Sequence, residues 1–266
     1  MKYPRILIPM FLLVCMAGMA AAQDDGVFPN FAAMTNPKAT EWNVQLMPIF
    51  ESAAKDYDVP LPLLLTLGYF GSAFENRFGA PTIEYGYGVM ALRQNKLGGD
   101  SLAVGAALIN AADAEAVQLD PALNIRAAAA VLDSYARSMK IDRSKGLEAW
   151  LEPVIKYAGL DEENSRFFAM EIYEKLLTGL DFKNSKGEWF YFPPQDIGAV
   201  DLSDLRPPVD EGVGAMSTDY GPAIWDPAPT CNYNAYNTSK DTVVIHTIEG
   251  TAAGARSWMK NCNSNV

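Results

Sequence analysis

Histidine is nearly absent: His246 is the single one in 266 residues. A serine–histidine–carboxylate triad would have to centre on it, and no Gly-x-Ser-x-Gly elbow is present to supply the nucleophile. Cysteine is scarce, three in all, and no two stand as Cys-x-x-Cys, which excludes a paired-cysteine zinc motif. Neither familiar phosphate-cradling glycine loop occurs. Basic charge is in deficit, 21 Lys and Arg against 32 Asp and Glu, for a formal net charge of -11. That balance argues against nucleic acid and against an anionic membrane surface, since both bind through cations.

What is present is an ordinary globular composition, 49% apolar and 20% charged. The length suffices for about two domains. Residues 1–22 read as a secretory signal peptide. Lys2 and Arg5 form the positive end, Ile6 to Met19 the apolar core, and Ala20-Ala21-Ala22 the cleavage site. The apolar core is too short for a bilayer, which takes about 20 residues, so stable membrane insertion is not expected after cleavage. Loss of Lys2 and Arg5 moves the formal charge from -11 to -13. The expected location is periplasmic or extracellular, and the expected state is a monomer. Cys15 leaves with the signal segment, and Cys231 and Cys262 stay. In an oxidising compartment that even count favours a disulfide, the alternative being two free buried thiols. Closing this loop would stabilise the fold by about 3–4 kcal/mol through chain entropy.

Residues 42–180 carry helical patterning and are expected to form one all-α domain of six or so helices. Met47, Phe50, Ala54 and Tyr57 share a face, and Asp58-Val59-Pro60 ends their helix. Pro60 and Pro62 open a second helix with Leu63, Leu64, Leu67 and Phe70, apolar nearly all round and so the core helix of the domain. Gly79 to Gly88 is a loop rich in glycine and tyrosine. Asp100 caps a helix to Leu108, Asp120-Pro121 starts a longer one, Trp150 lies in another that ends at Gly159, and Asp161 caps the last. After Leu180 prolines accumulate. Glu188 to Phe192 reads as a short strand inside an otherwise extended connector from 181 to about 240, packed in part through Trp189 and Trp225, of which residues 181–219 are the linker proper.

Two places could carry chemistry. Glu75 and Glu84 flank the tyrosine-bearing loop. Tyrosines at a cleft rim suit sugar stacking, and a buried glutamic acid suits protonation of a glycosidic oxygen; two solvated carboxylates beside a structural loop would look the same. The second is Thr242-Val243-Val244-Ile245-His246, a β-branched run that brings the imidazole to the end of a strand, before a helix opened by Gly250-Thr251. There the imidazole is either a metal ligand on a rigid element or a satisfied core residue.

Residues 44–160 resemble soluble lytic transglycosylases, lysozyme-like helical domains that cleave peptidoglycan glycan strands. The resemblance rests on Val59-Pro60 with Leu63-Leu64-Leu65, Gly71-Ser72-Ala73-Phe74, Gly86-Tyr87-Gly88-Val89-Met90, and Asn124-Ile125 with the alanine-rich run to Leu132. It implies a glycan-binding groove involving Tyr85, Tyr87 and Met90. It also shows departures. Gly71 stands where the family's general acid precedes serine, Ala91 where a glutamine follows methionine, and Val131 where a tyrosine is usual. A glycine donates no proton, so the resemblance implies a lapsed active site, with Glu75 one turn on as a substitute.

Residues 220–266 resemble the opening of zinc-dependent N-acetylmuramoyl-L-alanine amidases of the amidase-2, peptidoglycan-recognition-like fold. The matching features are Trp225-x-Pro227-Ala228-Pro229, Cys231-Asn232-Tyr233, Val243-Val244-Ile245-His246-Thr247, Gly250-Thr251, Ala253-Gly254, Ser257-Trp258 and Asn261. The resemblance implies zinc, with His246 the first ligand, and cleavage of the amide between muramic acid and L-alanine; the later ligands are not in this sequence, so the chain as it stands is expected to be inactive and the activity to belong to the complete protein. Together the two imply a mainly α chain: a lysozyme-like helical domain, the linker, and an incomplete α/β amidase domain. They imply a secreted hydrolase acting on peptidoglycan, whose helical module binds glycan without cleaving it. The alternatives are a lytic transglycosylase working through Glu75 or Glu84, and a wall-binding protein with no activity.

Overall fold

The computed structural model describes residues 44–82, 86–94, 100–206, 229–232 and 251–262. The fold is mainly α, as the sequence implies. Its helices are α1 (Met47–Asp56), α2 (Leu61–Ser72), α3 (Ser101–Leu108), α4 (Ala114–Leu119), α5 (Pro121–Met139), α6 (Leu151–Ala158), α7 (Glu162–Thr178) and α8 (Ala252–Lys260). The described residues also form two antiparallel hairpins, β1 (Gly86–Tyr87) with β2 (Leu92–Arg93), and β3 (Leu180–Lys183) with β4 (Trp189–Phe192).

Aspartates start four of these eight helices by accepting from free amides of the first turn. Asp120 accepts from Ala122 N and Leu123 N at 2.7 and 3.2 Å, and Pro121 fills the first position, where no N–H is needed. Asp161 accepts from Asn164 N at 3.0 Å, and Asp100 from Ala103 N. Asp113 caps α4 at 2.8 Å, a helix of six residues that is too short to show a period in the sequence.

The core helix is α2, with Leu63 to Gly68 all buried. Beside it α5 buries Ala127 to Leu132. These small residues let α3 come close: a Cβ added at Gly105 would lie 2.9 Å from the Ala127 Cβ. An aromatic group closes the other side. The Phe74 and Phe190 rings stack at 3.7 Å and 5°, and Phe50 meets Phe74 edge-on at 5.6 Å.

The stretch after Leu180 differs from the expected connector. Through residue 206 it packs on the bundle: Phe190, Phe192, Ile197 and Leu205 are buried, and a 3-10 turn spans Leu202–Leu205. The strand expected at Glu188 starts at Trp189, and it has a partner, β3. The face assignment is corrected too. Phe190 and Phe192 point inward, and Trp189 is 53% exposed. Glu188 has a separate task. Its carboxylate accepts from Leu46 N and Met47 N at 2.9 and 2.7 Å, at the start of α1, where no local side chain caps. Trp225 and the linker beyond residue 206 lie outside the described residues.

The final helix docks on α7. Glu171 of α7 accepts from Ala252 N and Ala253 N at 2.8 and 2.9 Å, capping α8 from outside. Arg256 pairs with Glu163 at 2.7 Å and donates to Asn164 Oδ1 at 3.1 Å. Cys231 and Cys262 form the expected disulfide, with Cα atoms 5.5 Å apart. Among the described residues no helix is long and apolar enough to cross a membrane.

Candidate functional site

A cleft of about 460 Å³ opens where the C-terminal end of α2 meets the β1–β2 loop, α6 and the β3–β4 hairpin. Gly71 and Ser72 form its wall on α2, Met90 and Ala91 face them from the loop, and Thr251 reaches it from the start of α8. The loop is held chiefly through Asn124. Asn124, fully buried on α5, accepts from Met90 N at 2.8 Å and donates through Nδ2 to Tyr87 O and Val117 O at 3.0 and 3.1 Å. Ser72 ties the same loop to α2, donating to Val89 O at 2.7 Å and accepting from Glu75 N at 3.1 Å. Tyr157 adds a contact from α6, its hydroxyl donating to Met90 O at 3.4 Å. Burial raises the Tyr157 phenol far above its ordinary range, so it stays a neutral donor.

Ala73 and Ala91 of the cleft, with Phe74 and Phe78 near them in sequence, have positive backbone φ, as do Asp58, Asn110 and Lys140 elsewhere. Ala73, Phe74, Phe78 and Ala91 hold φ values of 53°, 60°, 47° and 47°, in the left-handed region that side chains other than glycine seldom occupy. Such conformations persist where the surroundings over-determine them, and they concentrate at functional sites.

The expected site residues fall out as follows. Gly71, Glu75 and Met90 line the cleft. Met90 is 2% exposed and contributes through its backbone. Tyr87 is half-buried on β1 and does not line the cleft; burial raises its phenol pKa. Glu84, Tyr85 and His246 lie outside the described residues. Residues of the cleft to which the sequence gave no site role include Tyr157, Arg93, Ser101 and Thr251. They come from four separate elements, and no local pattern links them.

The surroundings of Gly71 and Glu75, the two positions the resemblance singled out for acid chemistry, are defined by the cleft. A Cβ at Gly71 would meet the Met90 carbonyl carbon at 3.1 Å, its oxygen at 3.2 Å and the Ala91 Cβ at 3.2 Å. The loop has settled against the glycine, so a larger side chain there requires the backbone to give. Glu75, the one carboxylate among the described lining residues, is engaged elsewhere. It accepts from Ser185 N at 2.7 Å and Ser185 Oγ at 2.8 Å in the β3–β4 turn. What remains is a pocket of aromatic rings (Tyr69, Phe70, Phe182), hydroxyls (Ser72, Ser101, Tyr157) and two arginines (Arg77, Arg93). Such a lining suits a polar ring-shaped ligand, stacked on its flat face and hydrogen-bonded at its rim.

Among the described residues no three His, Cys, Asp or Glu side chains converge as a metal site. Cys231 and Cys262 are joined to each other and offer no thiolate.

No family model matches the chain. It is similar to N-acetylmuramoyl-L-alanine amidase A of Achromobacter lyticus, 40% identical over 50 residues. That match takes in 19% of this chain and 28% of the relative, so the chain spans under a third of the length of the curated relative it matches.

Proposed function

We propose that this is a secreted peptidoglycan hydrolase, an N-acetylmuramoyl-L-alanine amidase whose helical module holds glycan without cutting it. The observation that carries the reading is the 40% identity over 50 residues to an amidase of that name. It agrees with the amidase-like pattern around His246. The cleft supports the second half: its lining suits a sugar, its acid position is a glycine pressed against backbone, and its carboxylate is tied to Ser185. In this reading residues 1–22 direct export and the substrate is peptidoglycan.

Zinc enters the proposal through His246 alone. A catalytic zinc takes about three protein ligands. The described residues supply no such set, and the disulfide removes both mature cysteines from the donor pool. His246 is therefore a proposed ligand, and no amide-cleaving step is assigned to the residues described.

The test is to incubate the secreted protein with purified peptidoglycan and count new chain ends. An amidase frees L-alanine amino groups, is inhibited by a chelator, and is lost in His246→Ala. Reducing or anhydromuramyl ends without new alanine amines would overturn the reading in favour of glycan cleavage.

A further inference from the structure

We propose that the outer face of the β3–β4 hairpin is a second saccharide subsite, separate from the cleft, in which Trp189 and Tyr191 take one pyranose ring of a glycan. These rings are 53% and 50% exposed on β4. They stand two residues apart on β4 and so share a face, stacked with centroids 5.3 Å apart and planes 30° from parallel. The indole is fixed before any ligand arrives: Trp189 Nε1 donates to Asp181 Oδ1 at 2.7 Å, diagonally across the hairpin. The register places Asp181 opposite Tyr191 and Lys183 opposite Trp189, so a carboxylate and an ammonium border the rings on the same face.

The makeup of this patch selects its occupant. A pyranose has an apolar C–H face and a rim of hydroxyls, which matches aromatic faces bordered by hydrogen-bonding groups. The area argues against a macromolecule. Two half-exposed rings offer on the order of 200 Å², well below the ~800 Å² per partner of a stable protein interface. A fixed indole also spares a ligand the entropy of ordering it, which favours small, weakly binding rings. The core does not need these side chains outside, because Phe190 and Phe192 carry the inward packing.

The proposal shares the saccharide class with the cleft reading but stands on the hairpin geometry alone. It is tested by titrating the ¹⁵N-labelled protein with tetra-N-acetylchitotetraose and following indole N–H signals, with Trp189 assigned through Trp189→Phe. A saturable shift of the Trp189 signal is expected, and Trp189→Ala together with Tyr191→Ala should weaken that binding about tenfold or more. Unchanged thermal unfolding in the double variant shows that the hairpin is intact. Shifts confined to cleft residues such as Ser72 would overturn this subsite and leave the cleft reading standing. No shift anywhere would overturn both. A Trp189 signal that moves with protein concentration alone would overturn it in favour of a second copy of the chain.

Discussion

Glu75 and Ser185 lie 110 positions apart in sequence, and both oxygens of the carboxylate are taken up by the serine, one by its amide and one by its hydroxyl. The bond locks the turn of the β3–β4 hairpin to the end of α2, at the cleft's edge. A carboxylate so placed has a structural assignment.

The first expectation follows. Glu75→Ala should remove two hydrogen bonds and lower stability by about 1–2 kcal/mol. Hydrolysis of peptidoglycan should be unchanged. Denaturant midpoints and chain-end counts measure the two separately; a large loss of hydrolysis at full stability would return Glu75 to a catalytic role.

Gly71→Glu tests from the other side the proposal that Gly71 occupies an acid position. The new Cβ presses on the Met90 carbonyl and Ala91 Cβ, so the variant should lose about 1–3 kcal/mol by overpacking. It should also produce no glycan cleavage, because the crowded side chain lacks a prepared place. Anhydromuramyl products from this variant would show that the cleft keeps the rest of a working site.

Asn124→Leu should be the most damaging single change near the cleft. It strips partners from Met90 N, Tyr87 O and Val117 O, all in contact with a fully buried side chain. Each orphaned buried group costs about 1–3 kcal/mol. Hydrogen exchange at the Met90 amide should accelerate before global unfolding does.

The dependence on pH has a defined sign at Asp133. Burial alone would raise its pKa, but hydrogen bonds and charge from Arg137 and Arg143 outweigh that and hold it below the ordinary carboxylate value. The folded state thus binds this proton less readily than the unfolded chain. The stabilisation is present above the unfolded value of about 3.9 and is lost as pH falls through the lower folded value. The gap in unfolding free energy between wild type and Asp133→Asn should be wide at neutral pH and close on acidification. A gap that stays constant would mean that the pair contributes through packing only.

Much of this was legible in the chain, and the rest was not for identifiable reasons. Asp100, Asp120 and Asp161 announced helix starts because a cap is a local bond between near neighbours. Leu180-Asp181-Phe182-Lys183 alternates visibly and precedes a turn ending in Gly187, so β3 had a signal that the prolines after it obscured. The facing of β4 had none: Trp-Phe-Tyr-Phe is apolar at every position, and a period of two cannot choose between equal faces. At the cleft, the resemblance drew attention to Gly71 and Glu75 as the positions for acid chemistry. That the opposing backbone closes on Gly71, and that Glu75 turns to Ser185, depend on residues up to 110 positions distant.

The carboxylate of Glu188 at the head of α1 bears on how the molecule is made. The first helix has no cap of its own, and the group that closes it is 141–142 residues downstream. During synthesis the chain emerges from its N-terminus at about 5–20 residues per second, so α1 waits on the order of ten seconds for its partner. The helical module cannot be finished in the order in which it is translated. The β3–β4 hairpin completes the first turn of α1, and a nascent chain released before Glu188 would expose both the unclosed helix end and the Phe50–Phe74 surface that Phe190 covers.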